Sequence, residues 1–382
     1  MQRLIAPILG AALAAACTRD VLSPASTAFF GRTPPAEAAR SLTVVTRNVY
    51  LGADLDPLIA APPELVPVLA AQKFAEIQAT NFAERAGALA DEIAAATPHV
   101  VGLQEVELYR VQSPGDAAFG GNTPAATVAI DFLQLLTDAI AARGLDYVVA
   151  VVQENLDAEV PALTGIGPGG PQFDDIRLTD RDVILVRGDV DFAAPRGANF
   201  TVNLPVTIGG RAVFILRGWT SVRLEVAGHR FDVFNAHLET QVAPPVQEAQ
   251  ARELLAIAAA DPLPDILLGD FNSDASGTQT ATYAILTGAG FRDAWLEVHP
   301  AGDGLTCCQA PDLRNPESQL DQRIDLVLVG PGWKVRNGSL VGGVHAAVVG
   351  DEPEDRTPSG LWPSDHAGVV ATLTLPPQVA QR

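Results

Sequence analysis

Short apolar runs alternate with amphipathic stretches along the chain from about residue 41 onward. Runs rich in Val, Ile and Leu that end at turn residues indicate buried strands. Apolar side chains recurring at intervals of three to five, as in 68–96, indicate helices with one buried face. The predicted strands are 41–46, 100–104, 147–152, 183–187, 211–226, 230–237, 266–270, 323–329 and 366–374. The predicted helices are 68–96, 124–143, 245–260 and 279–288.

Two features of this pattern bear on the architecture. A hairpin is expected around Ala227-Gly228-His229, and helices punctuate both halves of the chain. That order is typical of mixed sheets with helices outside rather than of a simple parallel array. The stretch 154–180, with Gly165 to Pro171 at its centre, is interpreted as a long loop that shapes a substrate mouth.

Composition narrows the class of protein. The 382 residues suffice for one large or two ordinary domains, and 48% hydrophobic with 18% charged residues is globular. The formal net charge of −20 repels polyanions at long range, which argues against an extended nucleic-acid track. A small local patch beside a cation stays compatible with that charge.

The N-terminal residues have the features of an export signal. A basic Arg3 precedes an apolar run, 4–16, that is too short to span a bilayer, and Cys17 follows it. Leu13-Ala-Ala-Ala-Cys17 resembles a bacterial lipobox, although Ala14 stands where Leu is usual. We therefore expect a signal peptide at 1–17, a tether at 18–40 and one catalytic domain at 41–378. The protein would be exported and either attached to a membrane through a lipidated Cys17 or secreted after ordinary cleavage.

Polar groups suited to phosphoryl chemistry stand at six predicted strand ends. Asp270 and Asn272 occupy alternate positions, so a carboxylate and a carboxamide leave the sheet on one face. The groups at these ends are Asn48, Glu105, His237, Asp270 with Asn272, Asp325, and Asp365 with His366. Carboxylates with waters and substrate oxygens are what Mg²⁺ prefers.

Six motifs in order resemble those of the endonuclease/exonuclease/phosphatase superfamily. They are Thr46-Arg-Asn-Val49, Gly102-Leu-Gln-Glu105, Asn235-Ala-His-Leu-Glu239, Gly269-Asp-Phe-Asn272, Arg323-Ile-Asp-Leu326 and Ser364-Asp-His366. That superfamily includes DNase I-like nucleases, neutral sphingomyelinases and inositol polyphosphate phosphatases. The resemblance implies an α/β fold with four layers, two mixed β-sheets packed face to face between outer helices. It also implies Mg²⁺-dependent hydrolysis of a phosphate ester.

The resemblance implies a role for each matching residue. Glu105 would bind the metal ion, with Asn48 as a neutral oxygen ligand and Asp365 completing its surroundings. Mg²⁺ is expected, with Mn²⁺ and Ca²⁺ as alternatives. Asp325 would hold His366 in one orientation and favour its charged form.

Either Asp270 or His366 would accept the proton of the attacking water, and the sequence leaves open which of them is the base. Asn272 would orient Asp270 or hold a phosphate oxygen, and His237 would contact the phosphate. Either Asp180 or Asp182 could orient His237.

Three further assignments concern the surroundings of this site. Arg217, like Arg47 and Arg223, is a candidate to hold phosphates. Arg217 and Asp182 are assigned to substrate binding. The adjacent Cys307 and Cys308 match no zinc spacing and are given a local structural role.

The leading interpretation is an exported phosphodiesterase, and alternatives within and outside this class stay open. The enzyme could be a nuclease or a phospholipid or sphingomyelin-type esterase. An esterase that acts at a membrane would be expected to have an exposed apolar wedge. Trp219, in a predicted hairpin, is the nearest candidate for such a wedge. A non-catalytic surface protein would be expected to lack an essential group, and all the expected groups are present. No protein partner is implied beyond the phosphate-ester substrate.

Overall fold

The computed structural model describes residues 40–333, 335–336, 339–340 and 343–375. The predicted signal peptide and lipobox, and all but the last residue of the tether, lie outside these residues. Within them, no helix combines the length and the apolar composition that crossing a bilayer requires.

Eighteen strands and seven α-helices are numbered here in chain order. The strands are β1 Ser41–Asn48, β2 Val100–Gln104, β3 Leu108–Gln112, β4 Thr127–Asp131, β5 Tyr147–Gly167, β6 Gly170–Arg187, β7 Asp191–Asn199, β8 Leu204–Ile208, β9 Arg211–Ile215, β10 Gly218–Val226, β11 His229–His237, β12 Asp265–Asp270, β13 Arg292–Asp293, β14 Asp325–Val329, β15 Val335–Arg336, β16 Ser339–Leu340, β17 Val344–Val349 and β18 Gly368–Thr374. The helices are α1 Asp56–Ile59, α2 Val66–Ala79, α3 Phe82–Ala96, α4 Phe132–Ala142, α5 Pro244–Ala258, α6 Thr282–Gly288 and α7 Ala294–Val298.

Two large mixed sheets carry the fold. The first has the order β17-β18-β1-β2-β6-β3-β4, with β5 paired to β6, and the second has the order β13-β14-β12-β11-β10-β7. β1 and β2 are parallel, as are β11 and β12, whereas β14 and β18 run antiparallel to their neighbours. Small two-stranded sheets, β8-β9 and β15-β16, lie outside them.

Successive side chains of a strand face opposite sides of its sheet, and the apolar ones form three layers. On β1 and β12, Val44 and Leu268 belong to the core between the two sheets. Val45 instead packs under α3 and α4, and Leu267 packs under α5 and α6. β1 and β12 thus bury both faces, one against the other sheet and one against helices. The predicted four-layer sandwich is confirmed.

The single helix predicted over 68–96 is wrong. The structure has two helices, α2 and α3, because Asn81 adopts a left-handed conformation with φ of 40°. Both helices place apolar residues against the same core, so the periodicity continues across the break and conceals it.

The helix predicted to begin at Thr123-Pro124 is also wrong in its first turns. Residues 127–131 pair with β3, and α4 begins only at Phe132. Asp131 is its cap and accepts hydrogen bonds from the backbone N–H of Leu133 and Gln134. Pairing with β3 thus replaces the first turns of the predicted helix.

The long loop predicted over 154–180 is wrong as well, since the chain forms one continuous hairpin. Strands β5 and β6 pair from Tyr147↔Arg187 to Gly167↔Gly170 with three bulges. The glycine and proline residues that suggested a loop are confined to the tip. The strand predicted over 211–226 is likewise divided, into β9 and β10.

Candidate functional site

The predicted site residues meet at one edge of the sandwich because of strand direction. The carboxyl ends of parallel strands share an edge, which brings Asn48 and the residue after Gln104 together, and likewise His237 and Asp270. β14 runs the opposite way, so its first residue, Asp325, lies directly beside Asp270 in the register. His366 precedes β18 at the same edge.

One carboxylate oxygen, Asp270 Oδ2, lies at the centre of the cleft. It accepts a hydrogen bond from Asn48 Nδ2 at 3.1 Å and lies 3.6 Å from His237 Nε2 and 3.8 Å from His366 Nε2. The other oxygen accepts from the backbone N–H of Asn272 at 2.9 Å. Apart from the partly buried Asn272, all these residues are nearly inaccessible to solvent. The carboxylate is therefore held in one orientation with a histidine on each side.

His366 is positively charged in this environment. Burial would lower the pKa of its ring, but the carboxylates of Asp325, Asp365 and Asp270 together raise that pKa well above its ordinary value. Asp325 Oδ2 lies 2.8 Å from His366 Nδ1, which leaves Nε2 facing the cleft. This is the pairing that the motif resemblance implied.

Glu105 supplies a second carboxylate beside Asp270, and Asn48, predicted as an oxygen ligand, instead directs its amide nitrogen toward both carboxylates. Glu105 follows β2 in a left-handed conformation, φ 58°, which turns its partly buried side chain into the cleft. Its carboxylate accepts from Asn48 Nδ2 at 2.9 Å and from Leu51 N–H at 2.7 Å. Asn48 Oδ1 accepts from the backbone N–H of Tyr50 at 2.9 Å. This hydrogen bond directs Asn48 Oδ1 toward the backbone of Tyr50 and Asn48 Nδ2 toward Glu105 and Asp270.

The carboxylates of this cleft are suited to bind a hard divalent cation. Burial, with Asp325 adding to it, raises the pKa of Asp270 to about 7. Burial also raises the pKa of Asp365 to about 7, with His366 opposing the change and Glu105 adding to it. Carboxylates that cannot all ionise together in a buried site are the ones a bound cation would stabilise. Asp270, Asp325 and His366 also place one ligating atom each within 4.8 Å of one another.

The surroundings of His237 differ from those predicted. Arg217 Nη1 lies 2.9 Å from its Nε2 and 3.1 Å from its Nδ1. Burial first, then the charges of Arg217 and His366, hold the pKa of His237 well below its ordinary value, so the ring is neutral. Asp180 and Asp182 accept instead from Asn155 Nδ2, at 3.2 and 2.9 Å. Arg217, not either acid, therefore contacts His237.

A cluster of buried acids, Glu107, Asp180 and Asp182, lies behind Arg217. Burial raises the pKa of each, and charge repulsion within the cluster adds to the rise for Glu107 and Asp182. Arg217 also lies 3.8 Å from Glu239. Asp182, which accepts from Asn155, thus lies in this buried cluster, and its assignment to substrate binding stays a prediction.

The other two arginines proposed as phosphate contacts lie elsewhere. Arg47 forms a two-pronged pair with Glu92 at 2.9 Å and donates to the carbonyl of His366. Arg223 pairs with Asp232 and Asp261. Because these pairings occupy both guanidinium groups, Arg217 is the one of the three in the cleft.

Sequence reasoning missed the role of Arg85, a fully buried side chain on α3. It donates to the backbone carbonyls of Thr80, Val49, Pro363 and Tyr50 at 2.6–3.1 Å. Val49 and Tyr50 directly follow Asn48, and Pro363 lies two residues before Asp365. The available signal was an arginine on the apolar face of a predicted helix.

Asn272 and the cysteine pair complete the cleft. Asn272 orients Asp270 through its backbone N–H, while its side chain donates to the carbonyl of Leu238 at 3.1 Å. Cys307 and Cys308 are joined by a disulfide, and Cys308 Sγ lies 4.0 Å from His366 Nε2. Trp219, considered as a membrane wedge, is buried under the second sheet.

A four-layer α/β sandwich with carboxylates, an amide and two histidines at one edge defines a class of phosphate-ester hydrolases. A model of the Endonuclease/Exonuclease/phosphatase family matches residues 71–366, and the chain belongs to this family. Its members hydrolyse phosphate esters, in general with a divalent metal ion. No curated protein matches the chain significantly.

Solved structures show the same fold at low sequence identity. An endonuclease/exonuclease/phosphatase family protein from Leptotrichia buccalis is 16% identical, with a TM-score of 0.51 over 86% of this chain and 98% of that one. TDP2 of D. rerio, complexed with a single-strand DNA product, is 19% identical, with a TM-score of 0.49 over 87% and 98%. A family protein from Bacteroides thetaiotaomicron is 16% identical, with a TM-score of 0.49 over 88% and 98%.

Proposed function

We propose that the protein is an exported, Mg²⁺-dependent phosphodiesterase in which water attacks phosphorus. The observation that carries this proposal is the position of Asp270 Oδ2, within 4 Å of Asn48 Nδ2, His237 Nε2 and His366 Nε2. One proton acceptor, one charged donor and one neutral imidazole thus surround a single small space.

Each group has a task that its protonation state suits. Glu105, with Asp365 nearby, would hold Mg²⁺, which would supply charge neutralisation for phosphate oxygens, while Asn48 Nδ2 orients the carboxylates of Glu105 and Asp270. The charged His366 donates from Nε2 to a phosphate oxygen. Asp270 accepts the proton of the attacking water, since its pKa of about 7 suits a base near neutral pH. Because His366 retains its proton, Asp270 is favoured over it as the base.

His237 serves best as a neutral hydrogen-bonding group. Arg217 Nη1 lies within hydrogen-bond distance of both ring nitrogens, and donation to Nδ1 leaves the proton on Nε2, the nitrogen that faces Asp270. That N–H can donate to a phosphate oxygen or to the oxygen of the departing alcohol. A diester carries one negative charge and a monoester close to two, so a cleft lined by several acids favours diesters.

Hydrolysis of bis-p-nitrophenyl phosphate with and without chelator tests this assignment. We expect turnover that is lost with chelator and restored by Mg²⁺ ahead of Mn²⁺ or Ca²⁺. His366→Ala should reduce kcat on the order of 10²–10⁴-fold, while His345→Ala, at an exposed position on β17, serves as control. Unchanged turnover in His366→Ala would refute the site. A parallel panel of plasmid DNA, RNA, sphingomyelin and inositol phosphates separates nuclease from lipid esterase.

Export is supported by the sequence of residues 1–17 alone. In a bacterial host, the full chain should fractionate with the membrane, and Cys17→Ser should release it into the soluble exported fraction. Equal membrane association of both forms would show that Cys17 is not the anchor. A chain left in the cytoplasm would remove export from the proposal.

A further inference from the structure

The disulfide between Cys307 and Cys308 lies beside the histidine that is assigned to the phosphate. Cys308 Sγ is 4.0 Å from His366 Nε2, and one sulfur from each cysteine lies with a ring nitrogen of His366 within 4.8 Å of one another. Cys307 and His366 are nearly inaccessible to solvent, whereas Cys308 is half-buried. Two sulfur atoms and one imidazole nitrogen thus share one wall of the cleft, and solvent reaches one of the cysteines.

Hydrogen bonds that do not involve sulfur hold the cysteine segment at the catalytic edge. The hydroxyl oxygen of Thr306 accepts from the backbone N–H of Asp325 at 3.1 Å, and the carbonyl of Thr306 accepts from Ala367 N–H at 2.7 Å. Gln309 N–H donates to the carbonyl of Asp365 at 2.7 Å. The segment is therefore bonded on both sides, and these bonds remain available when the S–S bond is cleaved.

His366 already has the hydrogen bonding that is typical of a metal-binding histidine. Its Nδ1 pairs with Asp325 Oδ2 at 2.8 Å, which leaves Nε2 on the side of the sulfurs. A carboxylate on the far nitrogen fixes the ring and makes the other nitrogen a better ligand. Asp270 Oδ2 lies 3.8 Å from the same Nε2, so a carboxylate also borders the position that a cation would take. Two thiolates and an imidazole bind soft or borderline ions such as Cd²⁺ and Zn²⁺, whereas Mg²⁺ prefers oxygen.

We propose that reduction of the Cys307–Cys308 disulfide creates an inhibitory site for a soft divalent cation, with both sulfurs and His366 Nε2 as ligands. A dithiol reductant supplies two electrons and two protons, which convert the S–S bond into two thiols while the reductant becomes a disulfide. The cation then displaces both thiol protons and the proton on Nε2, and all three protons pass to solvent.

Occupation of Nε2 by the cation would remove the donor that His366 offers to a phosphate oxygen. This inhibition rests on the proposed function, whereas the metal site itself does not. A reducing cytoplasm keeps thiols free, and an extracytoplasmic compartment favours the disulfide. The proposed export would therefore move the chain from a form that binds the soft cation to a form that has no thiolates to bind it.

Titration with Cd²⁺ tests the site without any turnover. The protein carries Cys17→Ser, which removes the third cysteine of the chain, and is reduced and freed of reductant without oxygen. Ultraviolet charge transfer from thiolate to cadmium reports binding through sulfur. We expect this absorbance to saturate at one Cd²⁺ per chain in the reduced protein and to be absent from the oxidised protein. A reduced protein without the absorbance would overturn the proposal.

Two variants in the same Cys17→Ser background identify the ligands. Cys308→Ser replaces a soft thiolate by a hydroxyl and should weaken Cd²⁺ binding by roughly 10²-fold or more. His366→Ala should weaken it roughly tenfold or more, while His345→Ala, at an exposed position on β17, should bind like the parent. An unchanged Tm shows that each variant is folded. Unchanged affinity in either Cys308→Ser or His366→Ala would refute the proposed ligand set.

Hydrolysis of bis-p-nitrophenyl phosphate at saturating Mg²⁺ tests the inhibition. Stoichiometric Zn²⁺ should lower kcat of the reduced protein on the order of 10²-fold and leave the oxidised protein within about twofold. Reduced protein without Zn²⁺ should stay active. Equal inhibition of both forms would place Zn²⁺ at the Mg²⁺ site and overturn the proposal, as would loss of activity on reduction alone. If neither form cleaves the diester although Cd²⁺ binds, the proposed function fails and the metal site stands.

Discussion

Replacement of Asp325 by Asn tests how the charge of His366 is maintained. Asp325 Oδ2 lies 2.8 Å from His366 Nδ1, and both side chains are almost inaccessible to solvent. At an effective dielectric constant of 20, two unit charges at this separation attract by roughly 6 kcal/mol, an upper limit. A charge-assisted hydrogen bond typically retains about 1.5–3 kcal/mol of that as a net contribution. Asp325→Asn should therefore lower the pKa of His366 by roughly one to two units.

The consequence for catalysis is a shifted pH profile. The amide of Asn can donate to Nδ1, which stabilises a neutral His366 with its proton on Nε2 and so removes the positive charge that would face the phosphate. We expect kcat/KM to fall on the order of 10²-fold or more near neutral pH, with the alkaline limb moved one to two units lower.

The assay is hydrolysis of bis-p-nitrophenyl phosphate at saturating Mg²⁺ from pH 5.5 to 9.5. Asp138→Asn, at an exposed position on α4, is the matched control. A variant within threefold of wild type, with an unmoved alkaline limb, would show that Asp325 does not maintain the charge of His366.

The other predictions concern the metal site, pH and the scaffold. Glu105→Gln should raise the Mg²⁺ concentration for half-maximal activity at least tenfold, and an unchanged titration would exclude Glu105 as a ligand. In metal-free protein the folded-state pKa of Asp270, about 7, exceeds its unfolded value of 3.8. Between pH 4 and pH 7 the folded state keeps the proton on Asp270 and the unfolded state has lost it. The free energy of unfolding therefore falls as pH rises from 4 to 7, by on the order of 4 kcal/mol at most. Asp270→Asn should flatten the dependence of Tm on pH, and a slope identical to wild type would contradict the assignment. Arg85→Met leaves four backbone carbonyls without their donor and should cost about 3 kcal/mol or more in urea unfolding. A loss below 1 kcal/mol would mean that water replaces the guanidinium.

Local pattern predicts the elements that form the catalytic edge. β2 at Val100–Gln104 has the predicted bounds, and β12 ends at Asp270 as expected. Buried strands can be predicted from the sequence because a continuous apolar run between turns is compatible with few other local structures. The polar residue that ends such a run then marks the edge.

Local pattern fails where pairing with a distant segment decides the structure. Residues 154–180 contain glycine, proline and acidic residues, yet they form most of a hairpin. Strand pairing satisfies the backbone of both segments at once, and no short window contains that information.

The sequence by itself determined which groups end the strands, since each follows directly from an apolar run and its alternation. It also determined the family, through six motifs in order. The motifs also implied the pairing of Asp325 with His366, whereas only the tertiary structure decided the partner of His237 and the support of the cleft. Arg217, not Asp180 or Asp182, contacts His237, and Arg85 supports the cleft from α3. A buried polar group must bond to whatever packing brings near it, and packing joins residues far apart in the chain.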